Sequence, residues 1–268
     1  MTRIALVCPG KPLLRERAAR VLALAAAEFP DVELDFAEQC FAETGHFAGD
    51  DATRLEAFVS AANDPRVDAV WFAMGGYGAN RIAGPAIAAL GEAARSKTWL
   101  GYSDTGFLLG ALYRHGIGRP VHGPLAGDIR REGGEEAVRR VLRFLSGREP
   151  APPPVDETPT VAFNLTTLAM LCGTELMPDL AGHVVLVEEV AEHLYAIDRL
   201  FFHVTQHLHG CAGIRLGRIG EVPENDRPFG FDEVEIARYW CGRAGIPYLG
   251  RADIGHDADN AIVPFGLA

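Results

Sequence analysis

Short apolar runs alternate along this chain with longer segments in which apolar residues recur every three or four positions. The runs RIALV and VDAVWF are typical of buried strands, whereas DATRLEAFVSAAN has the apolar spacing of an amphipathic helix. The alternation of strand and helix continues to residue 147 and predicts a parallel sheet with helices on both faces. The pattern therefore favours the α/β fold class.

The same alternation resumes in the second half of the chain, with GHVVLVEEV as a strand and DEVEIARYWCGRAG as a helix. Between the halves lie residues 148–159, which hold five prolines in twelve positions. Proline at that density disfavours both helix and sheet and produces an extended linker. We predict an N-terminal domain over residues 1–147 and a C-terminal domain over residues 160–268.

The charge balance narrows the range of partners. The chain is 48% hydrophobic, which is enough for a sizeable core, and it carries a net charge of −11 at pH 7. An acidic surface repels nucleic acid phosphates and anionic lipid headgroups. Neither nucleic acid nor a membrane is therefore expected as a partner.

The cellular location follows from what the sequence lacks. The apolar run before Pro9-Gly10 is too short for a secretory signal, and no stretch of about 18 apolar residues offers a membrane span. The five cysteines are scattered, without the spacing of a zinc site or a disulfide framework. We expect a cytoplasmic protein with reduced thiols.

Two glycine-rich breaks interrupt the strand and helix pattern of the first half, at residues 75–78 and 101–106. Each break follows an apolar strand, and the carboxyl ends of parallel strands meet at one edge of a sheet. We therefore expect the two breaks to be neighbours and to form part of a site.

The second break, GYSDTG, allows two interpretations of Ser103. Ser, Asp and Thr all cap helix N-termini, and glycine eases the turn before a helix. Alternatively, a tight strand-to-helix turn presents the serine hydroxyl as a nucleophile beside free backbone N–H groups. For Asp104 a helix N-cap or first-turn role is favoured over a catalytic one.

Neither a cofactor nor a metal is predicted. The GGYG break lacks the GxGxxG spacing and the GK[ST] ending of nucleotide-binding loops, although such glycines can bring backbone N–H groups close to an oxyanion. His203, His207 and His209 include a helical i, i+4 pair, but no flanking Glu or Cys completes a ligand set.

Two further residues carry possible chemistry. Glu188 follows four apolar residues, so it lies at the end of a buried strand, where a carboxylate needs a partner. His256 lies in a polar loop, where a histidine acts as a base, as a ligand or in neither role. A satisfied structural carboxylate and an inert histidine are the alternatives. Glu189 and Glu192 are expected on the surface or at a helix start.

Four segments in order, covering nearly the whole chain, resemble the LD-carboxypeptidase family of serine peptidases, which includes muramoyltetrapeptide carboxypeptidases and microcin C self-immunity peptidases. The segments are FAGDDATRLEAFVSAANDPRVDAVWFAMGGYGANRI, LGYSDTGFLLGALYRHG with VHGP, NLTTLAMLCGTELMPDLAGHVVLVEEVAEHLYAIDRL, and GIPYLGRADIGHDADNAIVPFG. The resemblance implies a Rossmann-like N-terminal parallel-sheet domain that carries Ser103. It also implies a smaller C-terminal swivelling β/α domain that carries Glu188 and His256.

The resemblance also implies a catalytic mechanism. Ser103 would be the nucleophile, His256 the base and Glu188 the carboxylate that orients the imidazole. The oxyanion hole would be the backbone N–H of Asp104 together with one from Gly75 or Gly76.

The chain departs from the family pattern near the first glycine-rich break. Met74 stands where the family usually has Arg, and AFNL replaces the usual GGNL at residues 162–165. A carboxypeptidase must bind a free carboxylate. Asn80, Arg81 and Arg199 are the polar or basic candidates, and Arg81 gains weight from the missing Arg. Tyr77 is expected as a wall of the site.

The function implied is that of a homodimeric serine carboxypeptidase. It would hydrolyse the L,D-amide bond that releases D-Ala from murein tetrapeptide during cell-wall recycling, without a cofactor. A related peptidase or amidase that cleaves peptide–nucleotide antibiotics is one alternative. A binding module for small molecules that has lost catalysis is another.

Overall fold

A computed structural model of the chain describes residues 1–150 and 157–267. It contains two β-sheets flanked by helices, and the prediction of an α/β fold built on parallel sheets is confirmed. Residues 151–156 of the predicted linker lie outside the described residues, so the domain boundary there stays a prediction. Among the helices described, none is long and apolar enough to cross a bilayer.

The elements are numbered in chain order. The strands are β1 (Thr2–Val7), β2 (Val32–Phe36), β3 (Ala69–Phe72), β4 (Thr98–Gly101), β5 (Arg119–His122), β6 (Thr160–Asn164), β7 (Val184–Val190), β8 (Gly213–Gly220), β9 (Tyr248–Arg251) and β10 (Val263–Pro264). The helices are α1 (Arg15–Glu28), α2 (Asp51–Asn63), α3 (Ala79–Ala88), α4 (Gly106–Arg114), α5 (Gly134–Leu145), α6 (Leu165–Leu171), α7 (Leu194–Thr205) and α8 (Glu233–Ala244).

The first sheet has the strand order β10-β5-β4-β3-β1-β2 and is parallel except for β10. Its strands are apolar on both faces. Along β1, Ile4 and Leu6 pack into one hydrophobic cluster, while Ala5 and Val7 pack into the other. A sheet buried on both sides requires continuous apolar runs, which is why RIALV shows no polar alternation.

The second sheet has the order β6-β7-β8-β9 and is fully parallel. Along β7, Val185 and Val187 face the helices, while Leu186 packs with Ile254 on the opposite face. After β9 the chain returns to the first sheet, where Val263 pairs with His122. The C-terminal segment therefore links the two sheets.

Helix α3 is the element for which the sequence carries no clear signal. It contains Gly84 and Pro85, residues that disfavour helix interiors. The helix forms because Ile82, Ala83 and Ala86 are buried, with α3 packed against α2 and α4. Tertiary packing here overrides local propensity.

Candidate active site

Three segments that are distant in sequence meet beside the carboxyl ends of the strands. The Ser103 hydroxyl donates to His256 Nε2 across 3.0 Å, and His256 Nδ1–H donates to Glu188 Oε2 across 2.5 Å. These pairs are 153 and 68 residues apart in the chain. The structure thus brings the three side chains into one continuous series of hydrogen bonds.

Ser103 lies in a tight turn between β4 and α4. Its φ is +62°, a left-handed conformation that costs a non-glycine residue about 1–2 kcal/mol. No side chain of the Ser-Asp-Thr stretch caps α4, since Thr105 precedes the helix without a capping bond. The turn therefore has the form of a nucleophile elbow, and strain of this kind is often found at functional sites.

Asp104 joins the two glycine-rich breaks. Its Oδ2 accepts a hydrogen bond of 2.7 Å from the backbone N–H of Ala79, the first residue of α3. The expected capping role is therefore correct in kind, but Asp104 caps the neighbouring helix rather than its own. Burial raises the pKa of Asp104 to about 6, against the opposing effect of the backbone N–H groups of Ala79 and Gly78.

The first glycine-rich break packs directly against Ser103, so the expectation that the breaks are neighbours is confirmed. A Cβ added to Gly75 would lie 3.2 Å from Ser103 Cβ and 3.4 Å from its Oγ. Within the described part of the chain, the N–H groups of Gly75 and Gly76 donate no hydrogen bond. Both N–H groups are therefore free to act as donors, and Gly75 is the one that packs against the serine.

Glycine is also required where the break meets the loop after β1. A Cβ on Gly10 would lie 2.0 Å from the carbonyl oxygen of Gly76, a distance that no side chain tolerates. Arg54, which is buried, donates to the carbonyl of Gly78 across 2.8 Å. These contacts hold the break in one position relative to the serine turn.

Glu188 raises the pKa of His256. Burial lowers the pKa of His256, but the negative charge of Glu188 and its hydrogen bond outweigh burial, so the pKa lies above its usual value. Glu188 is 0% exposed, and within residues 1–150 and 157–267 its Oε1 has no hydrogen-bond partner. Room for the carboxylate comes from Gly217, where an added Cβ would lie 3.0 Å from Glu188 Cβ.

The expectation that Glu189 lies on the surface is wrong. Glu189 is 2% exposed and accepts hydrogen bonds from Asn164 Nδ2, from the backbone N–H and the hydroxyl of Thr166, and from the N–H of Val190, at 2.6–2.9 Å. Consecutive side chains of a strand point to opposite faces of the sheet, so in a sheet covered on both faces Glu188 and Glu189 are both buried. The unbroken apolar run before Glu188 already indicated that the strand is buried on both faces, and therefore that Glu189 is buried as well.

A cleft of about 710 Å³ opens beside Ser103 and His256. Its described lining combines apolar side chains with neutral polar groups and three carboxylates, and it includes no Lys or Arg. The lining residues are Gly76, Tyr77, Asn80, Ser103, Asp104, Phe107, Asn164, Thr166, Thr167, Met170, Thr174, Leu176, Glu189, Val190, Glu192 and His256. Glu192, expected on the surface or at a helix start, is half-buried at this cleft.

The structure separates the substrate-binding candidates. Tyr77 and Asn80 line the cleft, whereas Arg81 does not. Arg81 instead forms a bidentate ion pair with Asp51, with contacts of 2.7–3.0 Å. Arg199 is exposed on α7, where its guanidinium stacks over the ring of Tyr195. Neither arginine is positioned to bind a carboxylate in the cleft.

Comparison with known proteins gives matches over most of the chain. The model of the LD-carboxypeptidase N-terminal domain matches residues 4–123, and that of the LD-carboxypeptidase C-terminal domain matches residues 157–268. A putative carboxypeptidase of Synechocystis is 31% identical over 87% of this chain and 79% of the relative. The murein tetrapeptide carboxypeptidase of Pseudomonas aeruginosa is 26% identical over 98% of this chain and 91% of the relative.

Solved structures match in fold as well. The muramoyltetrapeptide carboxypeptidase from Oxalobacter formigenes superposes with a TM-score of 0.81 at 25% identity, covering 98% of this chain and 93% of that one. A microcin C7 self-immunity protein in complex with aspartyl sulfamoyl adenosine superposes with a TM-score of 0.77, covering 100% of this chain and 96% of that one. Its identity is 16%, so this second likeness concerns the fold alone.

Proposed function

This chain belongs to the LD-carboxypeptidase family and is a serine-type carboxypeptidase, and we propose that it releases a terminal D-alanine from murein tetrapeptide by hydrolysing an L,D-amide bond. The observation that carries the proposal is the hydrogen-bonded series from Ser103 through His256 to Glu188, with distances of 3.0 and 2.5 Å, at the wall of a cleft. A buried imidazole between a hydroxyl and a carboxylate is the arrangement that activates serine.

The reaction proceeds in two halves. His256 Nε2 takes the proton of the Ser103 hydroxyl as the oxygen attacks the amide carbon, and the imidazolium then gives that proton to the leaving amine as the C–N bond breaks. Water attacks the ester carbon as His256 Nε2 accepts its proton, and the imidazolium returns that proton to Ser103 Oγ as the C–Oγ bond breaks and the shortened peptide leaves as a carboxylic acid. Glu188 accepts the Nδ1–H throughout, so it holds the imidazole in the tautomer that leaves Nε2 free to act as base.

The developing oxyanion is stabilised by backbone donors. The N–H of Asp104 follows the nucleophile, Gly75 packs against the serine side chain, and the N–H groups of Gly75 and of the adjacent Gly76 donate no hydrogen bond within the described part of the chain. Loss of one such donor typically costs about 3 kcal/mol of transition-state stabilisation. Because these donors are backbone groups, their position depends on the turn conformations rather than on side-chain identity.

Tyr77 and Asn80 are the proposed substrate contacts, since both line the cleft. Arg81 is not carried into this role because Asp51 already holds its guanidinium. A terminal carboxylate would therefore be bound by polar groups such as the Asn80 amide and backbone N–H groups.

The experiment is turnover of L-Ala-D-Glu-meso-diaminopimelate-D-Ala, followed by mass spectrometry of the released D-Ala. A matched peptide ending in L-Ala serves as the control for stereochemistry. Labelling by a fluorophosphonate, with Ser103→Ala as the blank, reports an activated serine independently of the substrate. Turnover of an aminoacyl sulfamoyl adenylate alone would favour the detoxifying alternative, and an unlabelled folded wild type would reject a serine hydrolase.

Two further features belong to the proposal: a homodimer, which the family resemblance implies, and a cytoplasmic location, which the short N-terminal apolar run and the scattered cysteines favour. Light scattering of the purified protein tests the first, where a monomer across micromolar concentrations would contradict it. Fractionation of cells that express the native chain tests the second.

A further inference from the structure

The base is carried by a loop rather than by a helix or strand. Residues 252–262 connect β9 to β10, and His256 lies near the middle of this loop. The loop is tied together by Asn260, which is 0% exposed. Asn260 Oδ1 accepts a hydrogen bond of 3.1 Å from the backbone N–H of Gly255, the residue before His256.

The same oxygen of Asn260 also faces His122, with a distance of 3.0 Å to Nε2. A backbone N–H can only donate, so the atom that Gly255 contacts is the amide oxygen, and His122 must donate to it from Nε2. Burial lowers the pKa of His122 to about 4, against the opposing effects of Asn260 and of the backbone of Ala162, so the ring is neutral at pH 7. Donation to the Asn260 oxygen then requires the single ring proton on Nε2. The contact therefore fixes both the amide orientation and the tautomer.

His122 belongs to the part of the fold that carries the nucleophile. It is the last residue of β5 and pairs with Gly101, which is two residues before Ser103. The ring of Tyr102 lies between the two histidines, with centroid distances of 5.5 Å to His122 and 4.8 Å to His256. The hydrogen bond from His122 to Asn260 thus joins the base loop to the strand pair that ends at the serine turn.

We propose that His122 and Asn260 are positioning residues, which set the location of the base loop relative to the serine turn through one buried hydrogen bond. The inference rests on the proposed function, because it assumes that His256 acts on Ser103. Catalysis of this kind depends strongly on distance, and a misplacement of about 1 Å costs roughly 100-fold in rate.

The test compares two amides at position 122. In His122→Gln the amide nitrogen reaches about as far as Nε2 and still donates to Asn260, whereas in His122→Asn it reaches only as far as Nδ1. Tyr113→Phe is the matched control, because the Tyr113 hydroxyl and His183 Nε2, 2.7 Å apart, also link the two halves of the chain, away from the base loop. The measurements are the rate of fluorophosphonate labelling, kcat, KM and thermal melting.

We expect His122→Asn to lower the labelling rate and kcat by about 10- to 100-fold, with KM changed by less than about twofold. The labelling rate and kcat of His122→Gln should lie within about threefold of the wild-type values, and those of Tyr113→Phe should equal the wild-type values. Equal rates for the two position-122 variants, or an equal loss in Tyr113→Phe, would overturn the inference. If His122→Asn does not fold, Asn260→Ala replaces it, because it removes the shared acceptor, and a wild-type rate in that variant overturns the inference.

The pH profile separates positioning from general destabilisation. The charged and titratable groups that act on His256 are Glu188, Glu189, Asp128 and His122. A displaced loop weakens the contact between His256 and Glu188. The apparent pKa of the acid limb of kcat/KM should therefore fall towards that of an ordinary histidine in His122→Asn, whereas in His122→Gln it should equal the wild-type pKa. A wild type that is not labelled rejects the proposed function itself. A labelled wild type with unmoved variants rejects only the inference.

Discussion

Replacing Glu188 by Gln separates the proposed catalytic role of this residue from its contribution to stability. Glu188 is fully buried, with Oε2 bonded to His256 Nδ1 at 2.5 Å and Oε1 unpartnered among the described residues. A buried polar group without a partner costs about 1–3 kcal/mol, and a buried charge adds to this cost. The wild-type carboxylate therefore contributes little net stability.

The amide of the Gln variant has two possible orientations at His256. Either its oxygen accepts from Nδ1–H and the NH₂ takes the unpartnered position, or its NH₂ donates to Nδ1 and forces the proton onto Nε2. One polar group stays unpartnered in both cases, as in the wild type, but the buried charge is gone. At pH 8.5 the free energy of unfolding should change by less than about 1 kcal/mol, which keeps Tm within about 4 °C.

The same substitution should nearly abolish catalysis. The amide cannot stabilise the imidazolium as a carboxylate does, and one of its orientations leaves Nε2 protonated and unable to act as base. Loss of the acid in a serine triad lowers kcat by about 10³- to 10⁴-fold.

The stability difference between wild type and Glu188→Gln should depend on pH. Because the pKa of His256 is raised in the folded wild type, its contribution to stability is fully present below the unfolded pKa of about 6.5 and is lost as pH rises through the folded pKa. The free energy of unfolding of the wild type should therefore exceed that of Glu188→Gln most at pH 6 and least at pH 8.5.

The assay is kcat on the tetrapeptide together with melting by circular dichroism at both pH values. The matched control is Glu189→Gln, in which a buried carboxylate with hydrogen bonds to Asn164, Thr166 and Val190 loses some of them. Glu189→Gln should lower the free energy of unfolding by about 2–3 kcal/mol, but it should lower kcat much less than Glu188→Gln does. A Glu188→Gln enzyme that keeps a tenth of wild-type kcat, or that melts more than about 8 °C lower at pH 8.5, refutes the reasoning.

Four further outcomes are expected. Ser103→Ala should abolish turnover, whereas Ser103→Gly should also relieve the left-handed backbone and melt above Ser103→Ala by an amount equivalent to about 1 kcal/mol; equal melting would argue against strain at the turn. Gly75→Ala introduces a Cβ 3.2 Å from both Ser103 Cβ and Leu125 Cδ1, so kcat should fall at least about tenfold with KM little changed, and an unchanged kcat would contradict the close packing. The kcat/KM of the wild type should rise with pH through the raised pKa of His256, because only the neutral imidazole accepts a proton. The pKa of Asp104 is about 6, so protonation of Asp104 should also lower kcat/KM, and the wild-type acid limb should reflect two protons. In Asp104→Asn the acid limb should reflect one proton only. Identical acid limbs in the two proteins would show that Asp104 does not act on the site.

The sequence by itself determined the kinds of element and much of the chemistry. Apolar runs without polar alternation predicted parallel strands buried on both faces, and the glycine-flanked serine turn marked the sheet edge where a site forms. Ser103, Glu188 and His256 were candidates on local grounds, each with a structural alternative left open, and only the resemblance to the LD-carboxypeptidase family grouped them into one proposed triad. The local signals can be read within a window of a few residues.

Only the tertiary structure decided what those residues contact. The sequence made Arg81 a candidate for binding a carboxylate, but in the folded chain its guanidinium is paired with Asp51. The sequence likewise predicted an exposed Glu189, which is buried because its strand is covered on both faces. The hydrogen bond between His122 and Asn260 joins positions 138 residues apart, and although both lie in segments that resemble the family, no local pattern shows that these side chains meet. Periodicity predicts which face of an element is buried, but the identity of the neighbour depends on how the elements pack, which is a property of the whole chain.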